Sequence, residues 1–145
     1  MEPINPEQAQ RVWQRVRGPG AESDTLEMLL ALESECRQLL LCLQKTAPLR
    51  DSRGLNRLRE ECRRFSHIFL GLAMVREADV TVTAAPAVRG NAEGLLRQCY
   101  AVRRKAIGLL RALPEDSAFC AELLSQRMEE HCLLVLELLG SLPRN

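Results

Sequence analysis

Apolar residues recur along most of the chain at steps of three and four, the spacing that places them on one face of an α-helix. The first long stripe is Leu26, Leu29, Leu30, Cys36, Leu40 and Leu43. Ser23 or Asp24 offers a cap before it, and Pro48, which cannot donate a helical hydrogen bond, closes it. A second stripe follows a cap at Asp51 or Ser52 and consists of Leu55, Leu58, Cys62, Phe65, Phe69 and Leu72. A third, predicting a helix over residues 92–113, is Leu95, Leu96, Cys99, Val102, Ala106, Leu109 and Leu113. Beyond Pro114 a fourth helix is predicted over residues 116–139. It carries Phe119, Leu123, Leu124, Met128, His131, Val135 and Leu138, and Gly140 and Pro143 end it. A shorter helix over residues 6–16, with Val12, Trp13 and Val16 on one side, precedes them all, and Arg17-Gly18-Pro19-Gly20 terminates it.

Residues 78–91 break the pattern. They hold Pro86, Gly90 and several β-branched residues, and they show no helical period. Extended at ~3.3 Å per residue, such a stretch spans roughly 40 Å, about the length of a 25-residue helix. The order of connections is therefore short, long, short. Short loops make each helix pair an antiparallel hairpin, and the long segment lets the third helix begin at the far end of the bundle. The expected fold is all-α: a ferritin-like antiparallel four-helix bundle with one long crossover from helix 2 to helix 3. The bundle takes residues 21–145, and residues 1–20 form the short N-terminal helix and a Gly/Pro linker.

Composition narrows the picture. Hydrophobic residues make up 46% and charged residues 27%, while aromatics are only 3%, so the core must be built from Leu, Ala, Val and Cys. Lys+Arg 20 against Asp+Glu 19 is not the basic balance of a nucleic-acid binder. In the pairs Arg63-Arg64 and Arg103-Arg104, the side chains of Arg63 and Arg104 read as solvated helix flanks. Residues 1–20 carry Glu, Arg and Pro in place of the apolar core of a signal peptide, and no apolar run approaches the roughly 18–20 residues of a membrane span. The expectation is a cytoplasmic protein with neither membrane nor nucleic acid as partner. The six cysteines then read as reduced, mostly buried apolar residues, since there is no Cys-x-x-Cys spacing and each falls in a helical pattern.

Charged and polar residues on the inner stripes carry the candidate chemistry, because a buried charge is costly unless paired or coordinated. Glu33 falls between Leu30 and Cys36, His131 between Met128 and Val135, and Arg103 beside Cys99 and Ala106. Each sits near the middle of its helix, so the three can meet at one level. A weak repeat of helix pairs underlies them. Glu33-x-x-Cys36-x-x-x-Leu40 aligns with Arg103-x-x-Ala106-x-x-x-Leu110, and Glu61-Cys62-Arg63-Arg64-Phe65 aligns with Arg127-Met128-Glu129-Glu130-His131.

On these residues the chain resembles the rubrerythrin-like, ferritin-like proteins of bacteria, over roughly residues 24–140. The closest stretch is Leu124-Ser125-Gln126-Arg127-Met128-Glu129-Glu130-His131-Cys132, with Glu60-Glu61-Cys62-Arg63-Arg64-Phe65 similar to the helix 2 segment. That family places Glu on helices 1 and 3 and Glu-x-x-His on helices 2 and 4, around two irons. The resemblance maps the ligand positions onto Glu33, Cys62, Phe65, Arg103, Met128 and His131, of which only Glu33 and His131 keep the family's chemistry. An alternative helix 2 register would use His67 and Arg64, but it leaves the inward stripe, and neither register restores Glu-x-x-His.

The resemblance therefore implies a ferritin-like protein that has lost its di-iron centre, with no resident cofactor and a buried Glu33–Arg103 pair in its place. Its role is then structural or one of interaction. The alternative is a residual metal-binding protein or iron-dependent oxidoreductase, holding iron at Glu33 and His131, or Zn or Cu(I) at a site remodelled with Cys62 and Met128. Other catalysis has little footing. There is no Gly-rich phosphate loop and no Ser-His-Asp arrangement, and Cys132 points about 100° away from His131 on the same helix. By analogy with ferritin-like domains the expected partner is a second copy, as a homodimer.

Overall fold

The structure is a computed structural model that describes residues 19–143 except 51, 76, 79, 83 and 114–120, with backbone alone at 19–22 and 47. The described residues form four long helices: α1 (Pro19–Gln44), α2 (Arg53–Val75), α3 (Ala92–Arg111) and α4 (Ala121–Ser141). No strand occurs among them, and none of these helices is long and apolar enough to cross a membrane. The short helix expected over residues 6–16, the start of the fourth helix, Phe119 and Cys120 lie outside the described residues.

Local chemistry explains most of the boundaries. α1 is already helical at Pro19, ahead of the expected cap near Ser23 or Asp24. Between α1 and α2, a single 3-10 turn (Ala47–Leu49) carries Pro48 and tucks Leu49 into the core. Ser52 caps α2 by accepting from the Leu55 N–H at 3.2 Å, and Asn91 caps α3 by accepting from the Gly94 N–H at 2.8 Å. α3 stops at Arg111, two residues short of the expected end, where the Ala112 N–H bonds back to the Gly108 carbonyl.

At the end of α2, the Ala78 N–H reaches the Ala73 carbonyl at 2.9 Å and the Glu77 N–H reaches the Met74 carbonyl at 3.2 Å. This is the pair of bonds of a Schellman ending. It needs a left-handed residue, and Glu77 fills that place with φ 51 where glycine is usual.

Two apolar clusters fill the interior. One joins Leu39, Leu40 and Leu43 of α1 to Leu55 and Leu58 of α2, Leu95 and Leu96 of α3, and Val135 and Leu138 of α4. The other joins Leu26, Leu29 and Leu30 to Phe65, Phe69, Ala106, Leu110, Leu124 and Met128. The end of α1 thus meets the starts of α2 and α3 and the end of α4, and the reverse holds at the other cluster. α1 packs on α2 and α3, and α4 packs on α3 and, less extensively, on α2. Gly54 permits that last approach: a Cβ there would lie 2.9 Å from Leu138 Cδ2.

The segment after α2 keeps to the bundle. Ala78 and Val80 pack against the second cluster, the Ala85 N–H donates to Ser34 Oγ at 2.8 Å, and Val88 packs against the first cluster. The predicted stripes are buried with few exceptions. Leu72, Leu109 and Leu113 are only half-buried, and Leu123, expected to face inward, is 56% exposed because Leu124 takes the inner place at the start of α4.

A non-glycine residue in the left-handed region costs roughly 1–2 kcal/mol. Glu77→Gly is therefore expected to raise the unfolding free energy by about 1 kcal/mol in urea denaturation, while Glu77→Ala gives no such gain.

Candidate functional site

Between the two apolar clusters lies a polar layer with a contribution from each helix. Glu33 comes from α1, Cys62 and Phe65 from α2, Arg103 from α3, and Met128 and His131 from α4, all of them buried. Each is carried inward by the same three-and-four spacing that buries its apolar neighbours. His67 and Arg64, the alternative register on α2, are exposed.

Glu33 and Arg103 meet directly. Arg103 donates from Nη1 to Glu33 Oε1 and from Nη2 to Oε2, the latter at 2.8 Å, in the parallel two-bond arrangement that suits a planar guanidinium. The Cys62 thiol donates to Glu33 Oε2 at 3.2 Å. On its other side the guanidinium lies over the Phe65 ring, with Cζ 5.0 Å from the ring centroid, a cation–π contact that solvates charge without water. Arg103 is the largest fully buried side chain, and its Nε has no partner among the described residues.

His131 does not join this pair. Its Nε2 lies 3.1 Å from the Leu58 carbonyl, and its ring stands edge-on to Phe65, with centroids 6.2 Å apart and planes at 83°. A carbonyl only accepts, so Nε2 carries the proton and Nδ1 is left a bare acceptor, unpaired among the described residues. Burial and then the nearby Arg103 charge push the His131 pKa down to about 4, so the ring is neutral at pH 7.

Burial pushes the Glu33 carboxyl up, against the opposing pull of the Arg103 charge and hydrogen bonds. Burial also works against the Arg103 charge, but the charges of Cys36 and Glu33 and the bonds to Glu33 outweigh it and hold its pKa well above the usual value. Beside the pair, Cys36, Cys62 and Cys99 are buried in the same cluster. Cys36 is drawn well below the usual thiol range by its neighbours Cys62 and Cys99, and those two are pushed up by Cys36 and by burial. The expectation of reduced cysteines agrees with free thiols at Cys36, Cys42, Cys62, Cys99 and Cys132, although Cys42 is only half-buried.

The inner-stripe reading thus found Glu33, Arg103 and His131. It missed the thiol contact to Glu33, the stacking of Arg103 on Phe65, and the backbone partner of His131. Only the aromatic at position 65, on the same stripe as Cys62, hinted at any of these. Among the described residues, no group of three or more His, Cys, Asp or Glu side chains is arranged to hold a metal ion. No family model, curated protein or solved structure matches the chain.

Two outcomes follow from the geometry. Removing one partner of a buried ion pair typically costs ~3–5 kcal/mol, whereas replacing both by apolar groups is often neutral or stabilising. Arg103→Met should therefore lower the urea midpoint sharply, and Glu33→Leu combined with Arg103→Met should recover most of the loss.

The second outcome concerns pH. His131 has a folded pKa of about 4, below its unfolded value near 6.5. The unfolded chain takes up the proton first, so the stability contributed by the neutral ring is complete above about pH 6.5 and lost as pH falls toward 4. The expected loss is about 3 kcal/mol relative to His131→Gln over that window, read as the difference between the two unfolding curves.

Proposed function

We propose that the chain is a ferritin-like bundle with a single crossover between α2 and α3, in which an arginine–carboxylate pair stands where relatives of that fold hold iron. Its role is structural or one of interaction rather than catalytic. The topology is supported by the grouping of helix ends in the two clusters and by the contacts that Ala78, Val80, Ala85 and Val88 make with the bundle. The single observation that carries the functional reading is the two-bond grip of Arg103 on Glu33.

A di-iron centre does not suit this donor set. Among the described residues, Glu33 is the only carboxylate in the layer, and it spends both oxygens on Arg103 and one of them again on Cys62. Phe65 and Met128 bring bulk and no negative charge to compensate a cation. A guanidinium fixed on the remaining carboxylate repels any metal that approaches it. The charge balance that iron would need has been met internally, by one cation already part of the chain.

A second reading keeps a metal at a remodelled site, and the free Nδ1 of His131 favours it, since an unpaired buried acceptor has a lone pair available. Cys62 and Met128 are soft donors that suit Zn or Cu(I). Arg103 weighs against this reading as it does against iron. The first reading also leaves a homodimer open as the mode of interaction.

Metal analysis separates the two readings. Protein purified anaerobically without chelator is expected to carry only substoichiometric Fe, Mn, Zn or Cu by mass spectrometry, unchanged in Glu33→Ala and His131→Ala. Stoichiometric metal that disappears in both variants overturns the first reading and turns attention to redox assays.

A further inference from the structure

A pocket of about 290 Å³ opens in the groove between α1 and α2, with Cys62 among the residues that line it. Arg37 of α1 and Arg59, Arg63 and His67 of α2 line it, and no acidic side chain does. None of the three arginines takes part in an ion pair among the described residues, in contrast to Arg64, Arg97, Arg103, Arg104 and Arg111. Leu40, Leu41 and Leu70 form an apolar wall, and Ser66 adds a hydroxyl. The register produces this arrangement. Arg59 and Arg63 are one turn apart on α2, followed at helical spacing by Ser66 and Leu70, while Arg37 and Leu41 are one turn apart on the facing side of α1.

Three unpaired guanidinium groups around one cleft repel each other and focus a positive potential into it, which an anion relieves. The charge count favours a dianion, because a carboxylate would balance only one of the three. A phosphate monoester carries about −1.5 to −2 at pH 7, and its oxygens match the planar fork of arginine. The pocket is at the small end of ligand sites, and one of its walls is apolar. From the charge, the arginine geometry and the leucine wall together, we infer that this groove binds a phosphate monoester of a small apolar group. The site does not draw on the Glu33–Arg103 pair, so the inference stands or falls separately from the reading of the core.

Phenyl phosphate serves as the probe, titrated calorimetrically into the full chain at low salt, with inorganic phosphate and benzoate in parallel. The expected result is saturable binding at one site, tighter for phenyl phosphate than for either comparison ligand. Arg37→Gln and Arg63→Gln, both at exposed positions that leave the core untouched, should each weaken it roughly tenfold. Arg63→Lys should restore only part of that loss, since lysine keeps the charge but not the fork. Arg97→Gln, on α3 and outside the pocket, should leave affinity unchanged. The inference is overturned by an absence of saturable binding into the millimolar range, by phenyl phosphate binding no tighter than inorganic phosphate, or by Arg97→Gln weakening it as much as Arg63→Gln.

Discussion

Arg103 has to be accommodated before anything else in this bundle can be. A guanidinium sealed among four helices loses its water, and the penalty for leaving it unpaired runs to several kcal/mol. Two features meet that demand together: the carboxylate of Glu33 on the facing helix and the face of Phe65. Each comes from a different direction, so the positions of α1, α2 and α3 around this residue are not independent. The apolar clusters above and below supply most of the driving force for burial, but they tolerate sliding, because leucine packs against leucine in many registers. The ion pair does not. Turning α3 by one residue rotates Arg103 by about 100° and separates it from Glu33. The layer thus specifies the alignment more than it strengthens the fold, a role buried ionic groups serve in other helical assemblies.

The fold class was readable because periodicity is a property of single helices. Leu26 to Leu43, Leu55 to Phe69 and Leu95 to Ala106 each announce a buried face without reference to the others. The errors cluster at ends, where periodicity weakens. Leu123 turned outward, and α1 is helical ahead of the expected cap at Ser23 or Asp24. Of the polar layer, the residues were legible and their partners only in part. Opposite charges on inner stripes, Glu33 and Arg103, point to each other across the sequence because neither can be buried alone. The partner of His131 is a main-chain carbonyl at Leu58, and since every residue has one, no side-chain pattern could single it out. The outer groove escaped notice for a different reason. Arg59 and Arg63 are ordinary surface residues on α2, and only the proximity of Arg37 on another helix makes them a cationic cleft.

Charge is therefore distributed with more structure than a net value of +1 conveys. On the α3–α4 side, Glu129 is shared by Arg104 and Arg111, which raises the pKa of Arg104 and lowers that of Glu129 through their mutual hydrogen bonds. On the α1–α2 side, Arg37, Arg59 and Arg63 have no such partner among the described residues. Cys62 connects the groove with the polar layer, since it lines the groove and its thiol also donates to Glu33.

The pairing of Glu33 with Arg103 spans 70 positions of sequence, so the two charges belong to different helical hairpins. α1 with α2 would present a carboxylate on its inner face without a counterion, and α3 with α4 would present an unmatched guanidinium. Neither hairpin is a comfortable unit by itself, and the chain must close the long loop between them before either charge is neutralised. Half-assembled forms are disfavoured for a reason that an all-leucine interior would lack. The arginine at position 103 makes folding more nearly all-or-none, binding the fate of each half of the molecule to that of the other.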